Sequence, residues 1–218
     1  MYKRQNIAKA HKDLGIIFLN KRLFDYAEDE FKTAMKLMPN DFEIIFEYGN
    51  FLYSVSKNTE AERYYREALD LEPENVLALT FMALNKLILN QLDAAKDYIM
   101  KALKINPNHE YIQFCAGRIL FARKEFDEAK PLLEKCLDAE PENLIVKQAL
   151  GIVAYENNEL EKAMSYLRST DEDAINCYYM AKCYEKMNND TKVKDYYEAA
   201  ILINPKYISA FADYSRYL

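Results

Sequence analysis

Four prolines of this chain, Pro39, Pro73, Pro107 and Pro141, stand 34 residues apart, in the segments KLMPND, DLEPEN, KINPNH and DAEPEN. A helix stop repeated at a fixed interval means a string of like supersecondary units. Each unit is too small to bury its apolar face alone and must stack on its neighbours. With the prolines as a ruler, other slots emerge. Alanine recurs twelve residues upstream, at Ala27, Ala61, Ala95 and Ala129. A bulky residue recurs eight upstream, at Phe31, Tyr65, Ile99 and Leu133, and a small one five upstream, at Ala34, Ala68, Ala102 and Cys136. Twenty-four upstream stand Gly15, Gly49, Ala83 and Gly117. Gly151 and Ala163 mark a fifth unit, and Ala181, Tyr197, Ala200 and Pro205 a sixth. All four glycines thus share one slot and five of the six prolines another, which ties these rare residues to the backbone plan.

The slots have physical roles. Small residues at helical spacing let two helices approach closely, and the bulky slot fills the space between them. Each unit holds two stretches of helical periodicity. Between them a turn places Asn90, Asn158 or Asn188 where a left-handed residue is useful. The spacing predicts Asp25, Thr59, Asp93, Asp127 and Thr191 as N-caps of the second helices, with Glu161 in that place in the fifth unit. Proline then closes the unit because it cannot continue a helix.

These residues resemble the tetratricopeptide repeat (TPR): a period of 34 with small residues at the glycine and two alanine slots, a bulky slot between them and proline at the end. The resemblance covers repeats at 8–41, 42–75, 76–109, 110–143, 144–173 and 174–207, with a half repeat at 208–218. The chain departs from the family in having no tryptophan; that slot holds His11, Ile45 or Leu79. The fifth repeat is four residues short, and RSTDED (168–173) replaces its helix end and proline. Thr170 and Asp173 offer a capping-box restart there. The resemblance implies an all-α fold: one right-handed superhelical solenoid of stacked hairpins over 1–218. First helices would line a concave groove and second helices the convex back.

Composition narrows the function. The first 22 residues carry six basic side chains against Asp13 alone, yet the whole chain is net −6, so the body is acidic. That balance argues against nucleic-acid binding, which needs a continuous basic face. The longest apolar run, VLALTFMAL (76–84), is far short of a membrane span, and the start of the chain lacks a signal-peptide pattern. Cys115, Cys136, Cys177 and Cys183 have no CxxC spacing, so reduced thiols and a cytoplasmic location are expected, with no metal site. The two histidines, His11 and His109, lie in a packing slot and a turn, and no Ser or Cys context suggests a nucleophile. No enzyme activity and no cofactor are expected.

What remains is the groove. In the family, ligand-facing slots form a stripe on the first helices. Here that stripe is Lys9, Lys12, Ile16 and Leu19; Glu43, Phe46, Asn50 and Tyr53; then Leu77, Thr80, Phe81, Leu84 and Ile88. It continues with Tyr111, Phe114, Arg118 and Phe121; Gln148, Ile152 and Tyr155; and Tyr178, Lys182 and Glu185. The candidate peptide-binding residues are Phe46, Asn50, Tyr53, Phe81, Leu84, Ile88, Tyr111, Phe114 and Arg118. Phe46, Phe81 and Phe114 are expected to be partly exposed, and Phe81 to be dispensable for folding. The five-residue clamp by which TPR co-chaperones grip the acidic tails of Hsp70 and Hsp90 is not matched, because its slots hold Lys12, Ile16, Glu47, Leu77 and Phe81. The reading is a non-enzymatic scaffold that binds a peptide segment of a protein partner; the alternative is a substrate-recruiting TPR arm of a larger enzyme such as a glycosyltransferase. Ile208, Phe211, Tyr214 and Leu218 give the last helix an apolar side, from which self-association or a continuing chain is expected.

Overall fold

The computed structural model describes residues 2–168 and 173–218. Among them are thirteen α-helices and no strand. The chain divides into two compact units, Met1–Arg123 and Lys124–Leu218. The first holds α1 (Tyr2–Asn20), α2 (Phe24–Leu37), α3 (Phe42–Ser54), α4 (Asn58–Leu71), α5 (Val76–Ile88), α6 (Leu92–Ile105) and α7 (Glu110–Ala122). The second holds α8 (Phe126–Ala139), α9 (Leu144–Glu156), α10 (Leu160–Leu167), α11 (Ala174–Lys186), α12 (Asp190–Ile203) and α13 (Ile208–Tyr217). Helices pair as antiparallel hairpins, α1 with α2, α3 with α4 and α5 with α6, then α9 with α10 and α11 with α12. Each second helix also packs on the following first helix, as α4 does on α5 and α12 on α13.

The turns inside the hairpins follow the repeat. Arg22, Ser56, Asn90, Lys124 and Asn158 all have φ near +60°, one per 34 residues, and Asn188 follows after the shortened repeat. The asparagine slot is therefore left-handed in every repeat, including the three where a less suited residue fills it. Helix ends obey the prolines. Met38, Glu72, Asn106, Glu140 and Asn204 each precede a proline, and each takes φ between −127° and −136°. Crowding by the proline ring excludes the helical region for the residue before it, so these helices stop one residue earlier.

Capping differs from the sequence-based expectation. Asp25, Thr59, Asp93, Asp127 and Thr191 lie inside the first turn, one residue past the helix start, because the left-handed residue turns the chain early. There an acid favours the helix by its charge against the positive helix end rather than as a cap. The side-chain caps sit mainly on the first helices. Asp41, Asn75 and Asn143 accept from the backbone N–H of Ile44, Ala78 and Val146 at 3.1–3.2 Å.

The glycine slot faces the bulky slot. A Cβ added at Gly15 would lie 2.9 Å from the Phe31 ring, and one at Gly49 2.9 Å from Tyr65. At Gly151 it would lie 2.7 Å from Leu167. Only a missing side chain lets these helix pairs close around a full-sized residue. In α5 and α6 the exchange runs the other way: Ala83 occupies the glycine slot, and the slimmer Ile99 replaces the ring.

The shortened repeat is closed by polar side chains. Asp173 caps α11, accepting from Ile175 N and Asn176 N. Buried Asn176 donates to the carbonyl of Leu167 at 3.2 Å, the last residue of α10. Gln148 Nε2 donates to both Asp173 and Asn176 at 2.8 Å. Thr170, expected in the restart, lies outside the described residues; Asp173 is itself the cap.

Candidate functional site

In the unit Met1–Arg123, the stripe on the first helices forms a connected aromatic surface. Phe81 of α5 stands at its centre. Its ring lies 5.6 Å from Phe46, 6.3 Å from Tyr53, 6.2 Å from Tyr65 and 6.5 Å from Tyr111. The one-repeat step from α3 to α5 to α7 brings Phe46, Tyr53, Phe81 and Tyr111 to one face, with Tyr65 of second helix α4 fully buried beneath them. Edge-to-face geometry at Phe46 and Tyr53 suits the ring quadrupoles and fixes the rings in place.

Burial separates the nine candidates into layers. Phe46 and Leu84 are buried, at 6% and 5% exposure, and are not the partly exposed contacts expected. Phe46 is covered by Phe42, Tyr65 and Phe81, so it is a floor residue. Tyr53, Phe81 and Phe114 are half-buried. Ile88 and Tyr111 are exposed, at 53% and 41%, and Arg118 is exposed as well. Phe81 is thus a packing residue as well as a surface one, which corrects the expectation that it can be replaced without affecting the fold. The cause is the neighbouring repeat: its ring fills the space between α3 and α7, a neighbour that helical spacing alone does not reveal.

Polar groups frame the rings. Arg118 lies over the Phe114 ring, 5.5 Å from its centre, a cation–π contact. Asn50 is turned to structural use: its Oδ1 accepts from the Tyr65 hydroxyl at 3.0 Å, and its Nδ2 donates to Glu47 at 3.3 Å. Burial raises the phenol of Tyr53 and pushes that of Tyr111 up to about 12, so both hydroxyls stay protonated at neutral pH. At the other end of the stripe Lys12 pairs with Glu43 at 2.9 Å, bridging α1 and α3. The surface therefore offers apolar area, phenolic hydroxyls and one exposed guanidinium. These groups suit binding by contact.

The unit Lys124–Leu218 treats the same slots differently. Ile152 and Tyr155 are buried, at 8% each. The Tyr178 hydroxyl donates to Asp213 of α13 at 2.6 Å, and Lys182 donates to the same carboxylate at 3.3 Å. In this unit the stripe is consumed in docking α13. On α13, Tyr214 is turned inward and stacks on Tyr197 at 5.5 Å, whereas Ile208 and Leu218 are 80% and 77% exposed. Cys115, Cys177 and Cys183 are buried, and burial pushes the Cys183 thiol up to about 11. Among the described residues no group of three or more His, Cys, Asp or Glu could hold a metal ion. No helix among them is long and apolar enough to cross a membrane.

Stacked hairpins, a left-handed residue in the turn of every hairpin and a glycine facing a bulky residue define a helical-repeat protein. The chain belongs to the tetratricopeptide repeat family: two family models of that description match residues 42–75, 77–109 and 174–207, and residues 120–177. Proteins of this fold generally mediate protein–protein interaction. The chain is 26% identical over 121 residues to the type IV pilus assembly protein PilF of Pseudomonas aeruginosa, covering 55% of this chain and 48% of that protein. It therefore spans about half the length of that relative. A solved structure of Pseudomonas aeruginosa PilF superposes with a TM-score of 0.79 at 15% identity, over 99% of this chain and 100% of that one. YrrB, described as a TPR protein with an unusual peptide-binding site, superposes with a TM-score of 0.68 at 21% identity, over 85% and 97% of the two chains.

Proposed function

We propose that this protein is a non-enzymatic scaffold whose first-helix face in Met1–Arg123 binds a peptide segment of a protein partner. The carrying observation is the layered aromatic surface: Phe46 and Leu84 beneath, Tyr53, Phe81 and Phe114 half-buried above them, Ile88, Tyr111 and Arg118 open to solvent. Rigid rings presenting apolar area beside an arginine are the composition of binding hot spots, and they need little ordering on contact. The peptide-binding site named for YrrB is consistent with this use of the fold. The PilF likeness leaves the partner's identity open. An Hsp70 or Hsp90 tail is not the ligand in this reading. Lys12 is engaged with Glu43, and Glu47 stands where a carboxylate would have to bind. A cytoplasmic setting belongs to the same proposal.

The test places a photoreactive phenylalanine analogue at Tyr111 and, as a control, at exposed Met100 on second helix α6. In cells, crosslinks to one protein partner are expected from Tyr111 and not from Met100. The same partner crosslinked equally from both positions, or from Met100 alone, would overturn the reading.

A further inference from the structure

The aromatic face of Met1–Arg123 collects side-chain donors that lack an adequate acceptor. Arg118 of α7 is exposed, with its guanidinium over the Phe114 ring. Three other cations of this unit are neutralised: Lys12 pairs with Glu43, Lys86 with Glu62 and Arg123 with Asp93. Arg118 has no carboxylate partner among the described residues. The Tyr53 hydroxyl likewise has no hydrogen-bond partner among them. That of Tyr111 reaches the Cys115 sulfur, a weak acceptor.

These groups share one neighbourhood. The positive charge of Arg118 acts on the phenols of both Tyr53 and Tyr111, against the burial that raises them. The Phe81 ring contacts both, 6.3 Å from Tyr53 and 6.5 Å from Tyr111. Donors from α3 and α7 thus converge beside the ring contributed by α5. The carboxylates of the same face are engaged elsewhere, Glu43 by Lys12 and Glu47 by Asn50, so neither serves the guanidinium. A planar guanidinium backed by an aromatic ring keeps its donor edge free and matches a carboxylate. Phosphate groups are held by clusters of arginine. One guanidinium with two neutral phenols matches a single negative charge instead.

We propose that Arg118, Tyr53 and Tyr111 form a recognition site for an Asp or Glu side chain of the bound peptide, with apolar residues of that peptide on both sides of the acid. The inference rests on the peptide-binding reading above and adds the chemical class of the segment. Arg118 lies outside the five slots of the Hsp70 and Hsp90 clamp, so the arrangement is a different one. Apolar surface is open on either side of the donors, at Leu77 in the first turn of α5 and at Ile88 at its end, 49% and 53% exposed. The segment therefore continues past the acid in both directions, and the carboxylate is a side chain rather than a chain end.

The experiment selects binders for the full chain from random peptides displayed with their C-termini fused to a carrier, and from a second library with free C-termini. From the fused library, peptides with an Asp or Glu between apolar residues are expected. Selection on Arg118→Glu should replace that acid by Lys or Arg, a gain that a damaged fold does not produce. In a selected peptide followed by fluorescence anisotropy, exchanging the acid for its amide should weaken binding to wild type about tenfold, and to Arg118→Gln only about threefold. Tyr53→Phe should weaken binding of the acidic peptide about threefold. Groove binders without an acid, sensitive to Ile88→Glu, would overturn the proposal and leave the peptide-binding reading standing. So would an acid preference unchanged by Arg118→Glu, or acidic binders from the free-terminus library alone. No binder from either library, or binders indifferent to Ile88→Glu, would overturn the reading and the proposal with it.

Discussion

Gly49→Ala is a single-methyl probe of the repeat's packing rule. The new Cβ would stand 2.9 Å from Tyr65 Cε1 and 3.0 Å from Cδ1. The ring cannot retreat freely. Tyr65 is fully buried, its hydroxyl is bonded to Asn50, and Phe46 and Phe81 contact its ring. Overpacking a core by one such group costs about 1–3 kcal/mol. Replacing a helical glycine by alanine returns up to ~1 kcal/mol of conformational entropy. The net expectation is a loss of about 1–2 kcal/mol in urea unfolding followed by circular dichroism. The third repeat supplies the control, since Ala83 is tolerated opposite Ile99. In a Tyr65→Ile background the clash vanishes, and Gly49→Ala should become neutral or stabilising by up to ~1 kcal/mol. The double-mutant cycle should therefore give a coupling of roughly 2 kcal/mol. If the two substitutions are additive to within about 0.5 kcal/mol, the glycine and bulky slots do not constrain each other and the reasoning fails.

Three other expectations concern the unit Lys124–Leu218. Asn176→Ala leaves the Leu167 carbonyl and Gln148 short of a partner and should destabilise the protein by about 1–3 kcal/mol in thermal melts, whereas the exposed Lys192→Ala should have no measurable effect. The hydrogen bond from Tyr178 holds the Asp213 carboxyl below its ordinary range, with Lys182 reinforcing it against the opposing effect of burial. Its contribution is full above the ordinary carboxylate pKa and is lost as pH falls through the depressed value. Protection of the α13 amides, taken relative to their intrinsic exchange rates at each pH, should therefore fall in acid, and Asp213→Asn should remove that fall. Self-association through α13 is expected from exposed Ile208, Phe211 and Leu218; light scattering should show a concentration-dependent dimer that Phe211→Glu abolishes.

The architecture was legible because rare residues mark it. Five of the six prolines follow a helix end, while Pro131 lies in the first half of α8; glycine is needed where a Cβ would meet a bulky side chain; and both recur at the repeat length. The left-handed turns were legible where asparagine fills them, at Asn90, Asn158 and Asn188, and hidden where Arg22, Ser56 and Lys124 do. The closure of the short repeat was not legible, because Asn176 and Gln148 act through long-range hydrogen bonds that no local spacing encodes. At the candidate site, helical spacing placed residues on one face but not at a depth. Phe46 and Phe81 occupy nearly the same repeat slot, yet one is buried and the other half-exposed, since depth depends on which ring the neighbouring repeat contributes.

In the proposed function the exposed rim of the first-helix face binds the partner. Ile88 tests it with least disturbance to the fold, being 53% exposed at the end of α5. Covering that remaining surface, on the order of 90 Å², contributes about 2 kcal/mol at ~25 cal/mol per Å². The decisive measurement is the dissociation constant of the partner segment crosslinked at Tyr111, for wild type, Ile88→Glu and the back-face control Met100→Glu. A weakening of roughly 30-fold or more is expected for Ile88→Glu, with Met100→Glu binding as wild type. Equal affinity of Ile88→Glu and wild type would contradict it.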